Sequence, residues 1–365
     1  MLYGANGYTG RLIAAQALAE GTEPPILAGR REEPLRALAA ELGGGLEVRA
    51  FPLGGEGELA RRAADALAGV DAVLHCAGPF SATSQPMVEA CLAAGAHYLD
   101  ITGEIAVFEA VLGQGARAER AGVALLPGVG FDVVPSDCLA AMLARRLPEA
   151  RSLELAFAPQ GGGGTSQGTT KTMVEGLGQG GCVRRGGRLV KTSTAHATRV
   201  VDFACGRRLC VAIPWGDVST AFHSTGIPDI TVYMAQPYRA VAAMRLLGVA
   251  GPLLRGPRVQ RALKGWVERN VAGPSEEQRE RGRVHLWGRV EDRWGVALEG
   301  TLVVREGYRF TADAALACLE RVRAGAVAPG AWTPSRAFGA DFVTTLPEVE
   351  LHLPDAPRPG PAPRA

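Results

Sequence analysis

The sequence predicts an α/β protein: a doubly wound parallel sheet in the N-terminal part, then an α+β domain built on a mainly antiparallel sheet. Three observations predict it. Short apolar runs alternate with longer amphipathic ones up to residue 147, the pattern of a parallel sheet covered on both faces. Glycines follow the helical runs, at Gly21, Gly43, Gly69, Gly95 and Gly122, where a helix C-terminus favours left-handed backbone. Beyond residue 148 the strand-like runs instead alternate apolar with polar residues, as strands with one covered face do.

In the first part the strand candidates are 2–3, 26–28, 46–51, 72–75, 98–101 and 123–126. The helix candidates are 9–19, 34–42, 58–67, 85–94, 106–121 and 134–146. The first strand–helix turn reads Gly4-Ala5-Asn6-Gly7-Tyr8-Thr9-Gly10. Gly4 permits the tight turn, Gly7 lets main-chain amides approach a diphosphate, and Gly10 lets helix and strand pack closely. The positive end of the helix then faces the phosphates. This is the Rossmann arrangement, and its place between strand and helix distinguishes it from a chance glycine triplet.

Only three residues precede Gly4, whereas a strand commonly runs about 5. The expectation is that a few residues of this strand precede Met1.

The second strand runs into Gly29-Arg30-Arg31. An acid there would bind a ribose 2′-hydroxyl. Two guanidinium groups suit a 2′-phosphate by charge and by fork geometry. The expected cofactor is therefore NADP. The fourth strand ends in Cys76-Ala77-Gly78-Pro79-Phe80, small residues at the sheet edge where the dinucleotide lies. Cys76 reads as a packing residue, because no neighbouring base marks it as a nucleophile.

Composition bounds the remaining classes. The chain is 47% hydrophobic and 21% charged with net charge +2, which gives no footprint for nucleic acid. Seven cysteines without a C-x-x-C pair argue against a disulfide framework or a zinc ribbon. No metal is expected, and glycines from Gly4 onward speak against a secretory leader. The expected location is cytoplasmic. Residues 240–254 are the most apolar stretch, broken by Arg245, Gly248, Gly251 and Pro252. They read as a buried or amphipathic helix, with a peripheral membrane contact as the alternative.

The motifs GANGYTG (4–10), LAGR (27–30), HCAGPF (75–80), MVEACLAAGAHYLDITGE (87–104) and PGVGFDVVPSD (127–137) resemble the saccharopine dehydrogenase-like reductases, a family that includes trans-acting enoyl reductases. The later TPSRAFGADF (333–342) is a looser match. The resemblance implies an NADP-binding domain at 1–147 and an α+β substrate or dimerisation domain at 148–330. A return segment at 331–353 would pack on the first domain, and a Pro-rich disordered tail would follow at 354–365. It implies dinucleotide contacts at Gly4, Asn6, Gly7, Tyr8, Thr9, Gly10, Arg30 and the loop Cys76 to Phe80, with Arg31 beside them. It places Gly130, Phe131 and Asp132 on the nicotinamide side.

Hydride transfer needs orientation of two carbons and benefits from a proton donor. The tyrosine–lysine pair Y-x-x-x-K is absent from all six tyrosines. Candidate catalytic residues are Asp132, at the end of the sixth strand, and Lys171, beside the run Gly161-Gly162-Gly163-Gly164. Asp100, Thr102, Glu104, Ser136 and Asp137 stand at strand ends too, where capping explains them as well as chemistry does. The expected function is NADPH-dependent reduction of a C=C, C=N or C=O bond in a small organic or acyl substrate. The alternative is a catalytically silent dinucleotide-binding scaffold or sensor. A homodimer is left open.

Overall fold

The computed structural model describes residues 1–54, 57–161, 164–249 and 251–354. The tail from 355 onward, Gly162 and Gly163 lie outside the described residues. The first sheet holds β1 (Leu2–Tyr3), β2 (Leu27–Gly29), β3 (Val48–Ala50), β4 (Ala72–His75), β5 (His97–Asp100) and β6 (Ala124–Leu126). All pair in parallel, and the strand order reverses beside β1, which lies between β2 and β4. Ligands of such sheets bind at the carboxyl edge beside that reversal.

The second sheet starts from β7 (Ala150–Gln160), the hairpin β8 (Gly181–Arg185) and β9 (Arg188–Thr192), β10 (Thr198–Phe203), β11 (Gly206–Ala212) and β12 (Asp229–Ala235). The long hairpin β13 (Arg283–Asp292) and β14 (Ala297–Arg305) completes its centre. Among the described residues only β7 and β12 pair in parallel; every other pair of neighbours in this sheet is antiparallel. The expected α/β architecture with a second, mainly antiparallel sheet is therefore present.

The helix Val134–Arg146 joins the two halves. It leaves the loop after β6 and packs on β7, β13 and β14. Gly288 of β13 stands opposite Gly300 of β14. A Cβ on Gly288 would lie 2.8 Å from a Leu143 methyl and 3.2 Å from Leu139; one on Gly300 would lie 3.4 Å from Leu139. This cross-strand glycine pair makes the trough in which the helix leucines lie. Leu139 and Leu143 are wholly buried there, each contributing on the order of 2 kcal/mol.

Several elements differ from expectation for identifiable reasons. The helix expected at 85–94 begins at Phe80, because the Glu104 carboxylate accepts the Phe80 and Ser81 amides, both at 2.8 Å; Pro86 lies inside it. The run 106–121 divides at Gly113 into the helices Ile105–Leu112 and Gly115–Ala121. The charged run 275–281 reads as a loop but forms the helix Glu276–Arg281, closed by a reciprocal Ser275–Gln278 capping box.

The chain also returns to the first domain earlier than residue 331. The helix Gly307–Arg323, capped by the Glu306 carboxylate, packs on the helix Tyr8–Ala19 and on β4 and β5. β15 (Gly330–Ala331) then extends the first sheet beside β6, whereas β16 (Glu350–His352) pairs with β14 in the second. The end of the return segment thus adds a strand to the second sheet.

Gly288→Val tests the trough. A side chain there must displace Leu139 and Leu143, and overpacking of this kind costs about 1–3 kcal/mol. The expected result is a lower denaturation midpoint in urea with an unchanged slope; an unchanged midpoint would show that the helix seat has slack.

Candidate functional site

The first turn has the geometry that its glycines predict. Gly4 has φ +84°, and a Cβ on it would lie 2.8 Å from the Ala77 amide nitrogen. The loop therefore lies directly against the Cys76 to Phe80 turn after β4. A Cβ on Gly10 would lie 2.4 Å from the Gly4 carbonyl oxygen, so only glycine lets the helix approach its own loop. Gly7 is the N-cap in extended conformation, and no side chain caps the helix there. The Asn6 side-chain oxygen lies 3.4 Å from the Cβ position of Gly29, so it sits beside the end of β2. Thr9 is partly exposed on the first helical turn.

Arg30 and Arg31 follow β2, are exposed, and have no hydrogen bond or ion pair among the described residues. Glu32, next along, pairs with Arg36 instead. Two free guanidinium groups without an acid at the strand end fit a 2′-phosphate.

Tyr8 does more than sit in the loop. Its hydroxyl donates to the Pro274 carbonyl at 2.6 Å and accepts from Arg279 at 2.9 Å. Its ring stands edge-on to Tyr308, centroids 4.9 Å apart. The glycine loop is thereby tied to the second domain. Tyr308 accepts the Ser166 amide at 2.6 Å and bonds the Thr169 hydroxyl at 2.9 Å. Ser166 caps the helix Gln167–Gly176, its hydroxyl accepting the Thr169 amide.

The polar residues at the strand ends separate into two kinds. Asp100 is buried and accepts from the Tyr98 hydroxyl at 2.6 Å, the Thr102 amide at 3.0 Å and the Gly128 amide at 2.8 Å. It joins the loops after β5 and β6. Burial raises its carboxyl to about 6 against the pull of those donors. Thr102 accepts the Glu104 amide. Asp137 is buried and accepts the Ser335 amide at 2.8 Å and the Ser224 hydroxyl. It holds the short helix Pro334–Phe338 of the return segment against the helix Asp217–Thr225. These are structural acceptors.

Asp132 is different. Among the described residues its carboxylate has no hydrogen-bond donor, and burial alone raises it to about 7. Gly103 faces it, since a Cβ there would lie 2.6 Å from Asp132 Oδ2. Trp215 of the second domain donates its indole N–H to the Asp132 carbonyl at 2.9 Å. Asp132 also pushes the half-buried Tyr308 hydroxyl further upward, after the larger effect of burial. Asp132 thus stands at the meeting of both domains.

Lys171 is turned to another partner. Its ammonium pairs with Glu268 at 2.7 Å, at the contact between the helices Gln167–Gly176 and Pro257–Asn270. The geometry brings Tyr8 and Tyr308 together and gives Lys171 a separate ion pair. Cys76 is no thiolate, because burial pushes its thiol upward; burial also drives His75 down to about 3. Trp215, Tyr308 and Arg279 are the residues that sequence reasoning missed. Each comes from a segment without a motif, and only the meeting of the domains singles it out.

Residues 1–126 match the family model of the saccharopine dehydrogenase NADP binding domain. A trans-acting enoyl reductase of Mycobacterium leprae is 36% identical over 158 residues, covering 42% of this chain and 37% of that protein. A trans-acting enoyl reductase of Mycobacterium tuberculosis H37Rv is 33% identical over 164 residues, with the same coverage of 42% and 37%. The match thus spans 37% of the length of these relatives. The saccharopine dehydrogenase (L-Glu forming) of Saccharomyces cerevisiae superposes with a TM-score of 0.61 at 10% identity, covering 96% of this chain and 98% of that one. That likeness extends the shared fold through both domains. The glycine loop, the paired arginines and the turn after β4 therefore all lie within the stretch that matches the saccharopine dehydrogenase NADP binding domain.

Proposed function

We propose that the protein is an NADPH-dependent reductase of a C=C, C=N or C=O bond in a small organic or acyl substrate. The observation that carries this reading is the Asp132 carboxyl. It is held at the carboxyl edge of the parallel sheet without a donor among the described residues, and burial raises it to about 7. A general acid works best when its pKa lies near the working pH. NADPH supplies the hydride when bound. The chain's own residues orient the reactants and manage the proton.

In this reading the carboxylic acid form of Asp132 delivers a proton to the atom that gains charge as the substrate is reduced. Tyr8 and Tyr308 line the approach between the domains, and Trp215 fixes the Asp132 backbone. Gly103 leaves the space that the carboxyl occupies. Arg30 and Arg31 supply charge for the 2′-phosphate, and the amides of the Gly7 to Thr9 turn face the diphosphate. The name carried by the mycobacterial relatives makes enoyl thioesters the first substrates to try.

Asp132→Asn keeps shape and removes the titrating proton. With NADPH and a panel of enoyl thioesters, imines and ketones, the wild type is expected to lose reduction rate as pH rises through about 7, following the raised carboxyl. The variant is expected to be slower by about 10²–10⁴-fold, to lack that limb, and to bind NADPH as before. An unchanged profile would remove Asp132 from the chemistry. NADPH binding without oxidation across the panel would favour a silent scaffold.

Gly103→Ala displaces the carboxyl end without touching the cofactor loop. The expected outcome is a fall in kcat at constant NADPH affinity, and full activity would show that the carboxyl position is unimportant. Arg30→Glu is expected to weaken NADPH by about tenfold or more in a fluorescence titration. NADH binding should change much less. Equal losses for both would argue against a 2′-phosphate contact.

A further inference from the structure

Two successive helices of the second domain carry apolar side chains outward as well as inward. On Tyr238–Val249 the inward positions are Val241, Met244 and Gly248. Yet Leu246 is 73% exposed, Leu247 47%, and Tyr238 at the first turn 77%. On Pro257–Asn270 the residues Gln260, Leu263 and Val267 face inward. Val259, Ala262 and Trp266 form a second, exposed stripe at spacings of three and four, with Trp266 55% exposed. An ordinary surface helix presents charged residues of both signs on its outer face. Here the outer face repeats an apolar stripe on two consecutive helices, which touch through the short helix Gly251–Leu254.

The charge beside these stripes has one sign. Between residues 238 and 270 there are seven basic residues, Arg239, Arg245, Arg255, Arg258, Arg261, Lys264 and Arg269, against the single acid Glu268. Glu268 is already engaged by Lys171. Arg239, Arg258 and Arg269 have no hydrogen bond or ion pair among the described residues. Arg258 and Arg261 border the Val259–Ala262–Trp266 stripe directly.

We infer that this face docks on an anionic lipid bilayer. Its aliphatic and aromatic side chains protrude from helix ridges. A bilayer takes in protruding side chains without a matching cavity, seats Tyr and Trp at the headgroup level, and pairs guanidinium groups with phosphate oxygens. No described helix is long and apolar enough to cross a membrane, so the helices lie along the interface. The inference is independent of the reaction proposed above.

Co-sedimentation of the full chain with two kinds of vesicle tests it: phosphatidylcholine alone, and phosphatidylcholine mixed with phosphatidylglycerol. The expected result is binding to the anionic vesicles that weakens as salt rises. Leu246→Ser/Leu247→Ser and Trp266→Ser are each expected to weaken it by about tenfold or more. Arg258→Glu/Arg261→Glu should do the same, and all three variants should titrate normally with NADPH as evidence of folding. Failure to sediment with either vesicle overturns the proposal. So does equal binding to neutral vesicles, or full binding by all three variants. Self-association removed by the Leu246/Leu247 change would instead assign the face to a second copy of this chain and also overturn it.

Discussion

The helix Val134–Arg146 is the constraint on which the rest of the structure depends. It belongs by sequence to the parallel sheet, whose β6 it follows, yet its leucines lie in the glycine trough of the second sheet. Sheet and helix surfaces are close-packed, so this seat sets the relative position of the two halves to within a methyl group. Asp132 lies two residues before the helix. Its place between the domains follows from where the helix is anchored, and the bond from Trp215 to its carbonyl completes the anchorage.

A second theme is the division of labour among buried and half-buried carboxylates. Glu104 and Asp137 each cap a helix that starts elsewhere in the chain, and Asp100 takes two loop amides. In each case donors offset the desolvation of the charge. Among the described residues Asp132 has no such donor, and the fold tolerates a carboxyl whose ionisation is costly. Groups kept in that condition concentrate at sites of proton transfer. A residue's placement at a strand end does not separate these roles. The donors around it do.

Long-range pairing explains which features were legible. The glycine loop, the arginines after β2 and the helix 134–146 are local patterns, and each folds as its residues suggest. The start of the helix Phe80–Ala94 was misplaced because its cap, Glu104, comes 24 residues later. The strand β9 is almost wholly exposed, so it has no inward apolar set to reveal it. The capping box at Ser275 and Gln278 was readable in principle, since S-x-x-Q is a local signal. Lys171 stands out in the sequence by its place beside glycines. Glu268, the residue that engages it, lies 97 positions away.

The sequence alone determined the parallel first sheet, the glycine loop after its first strand and the pair of arginines standing where a ribose-binding acid would be, because each rests on neighbours within a turn or two. Only the tertiary structure decided which strand-end carboxylate is left without donors, which tyrosines meet across the domains, and where the chain returns to its first sheet. Those outcomes depend on desolvation and on contacts between distant segments, and neither is encoded in any one stretch of residues.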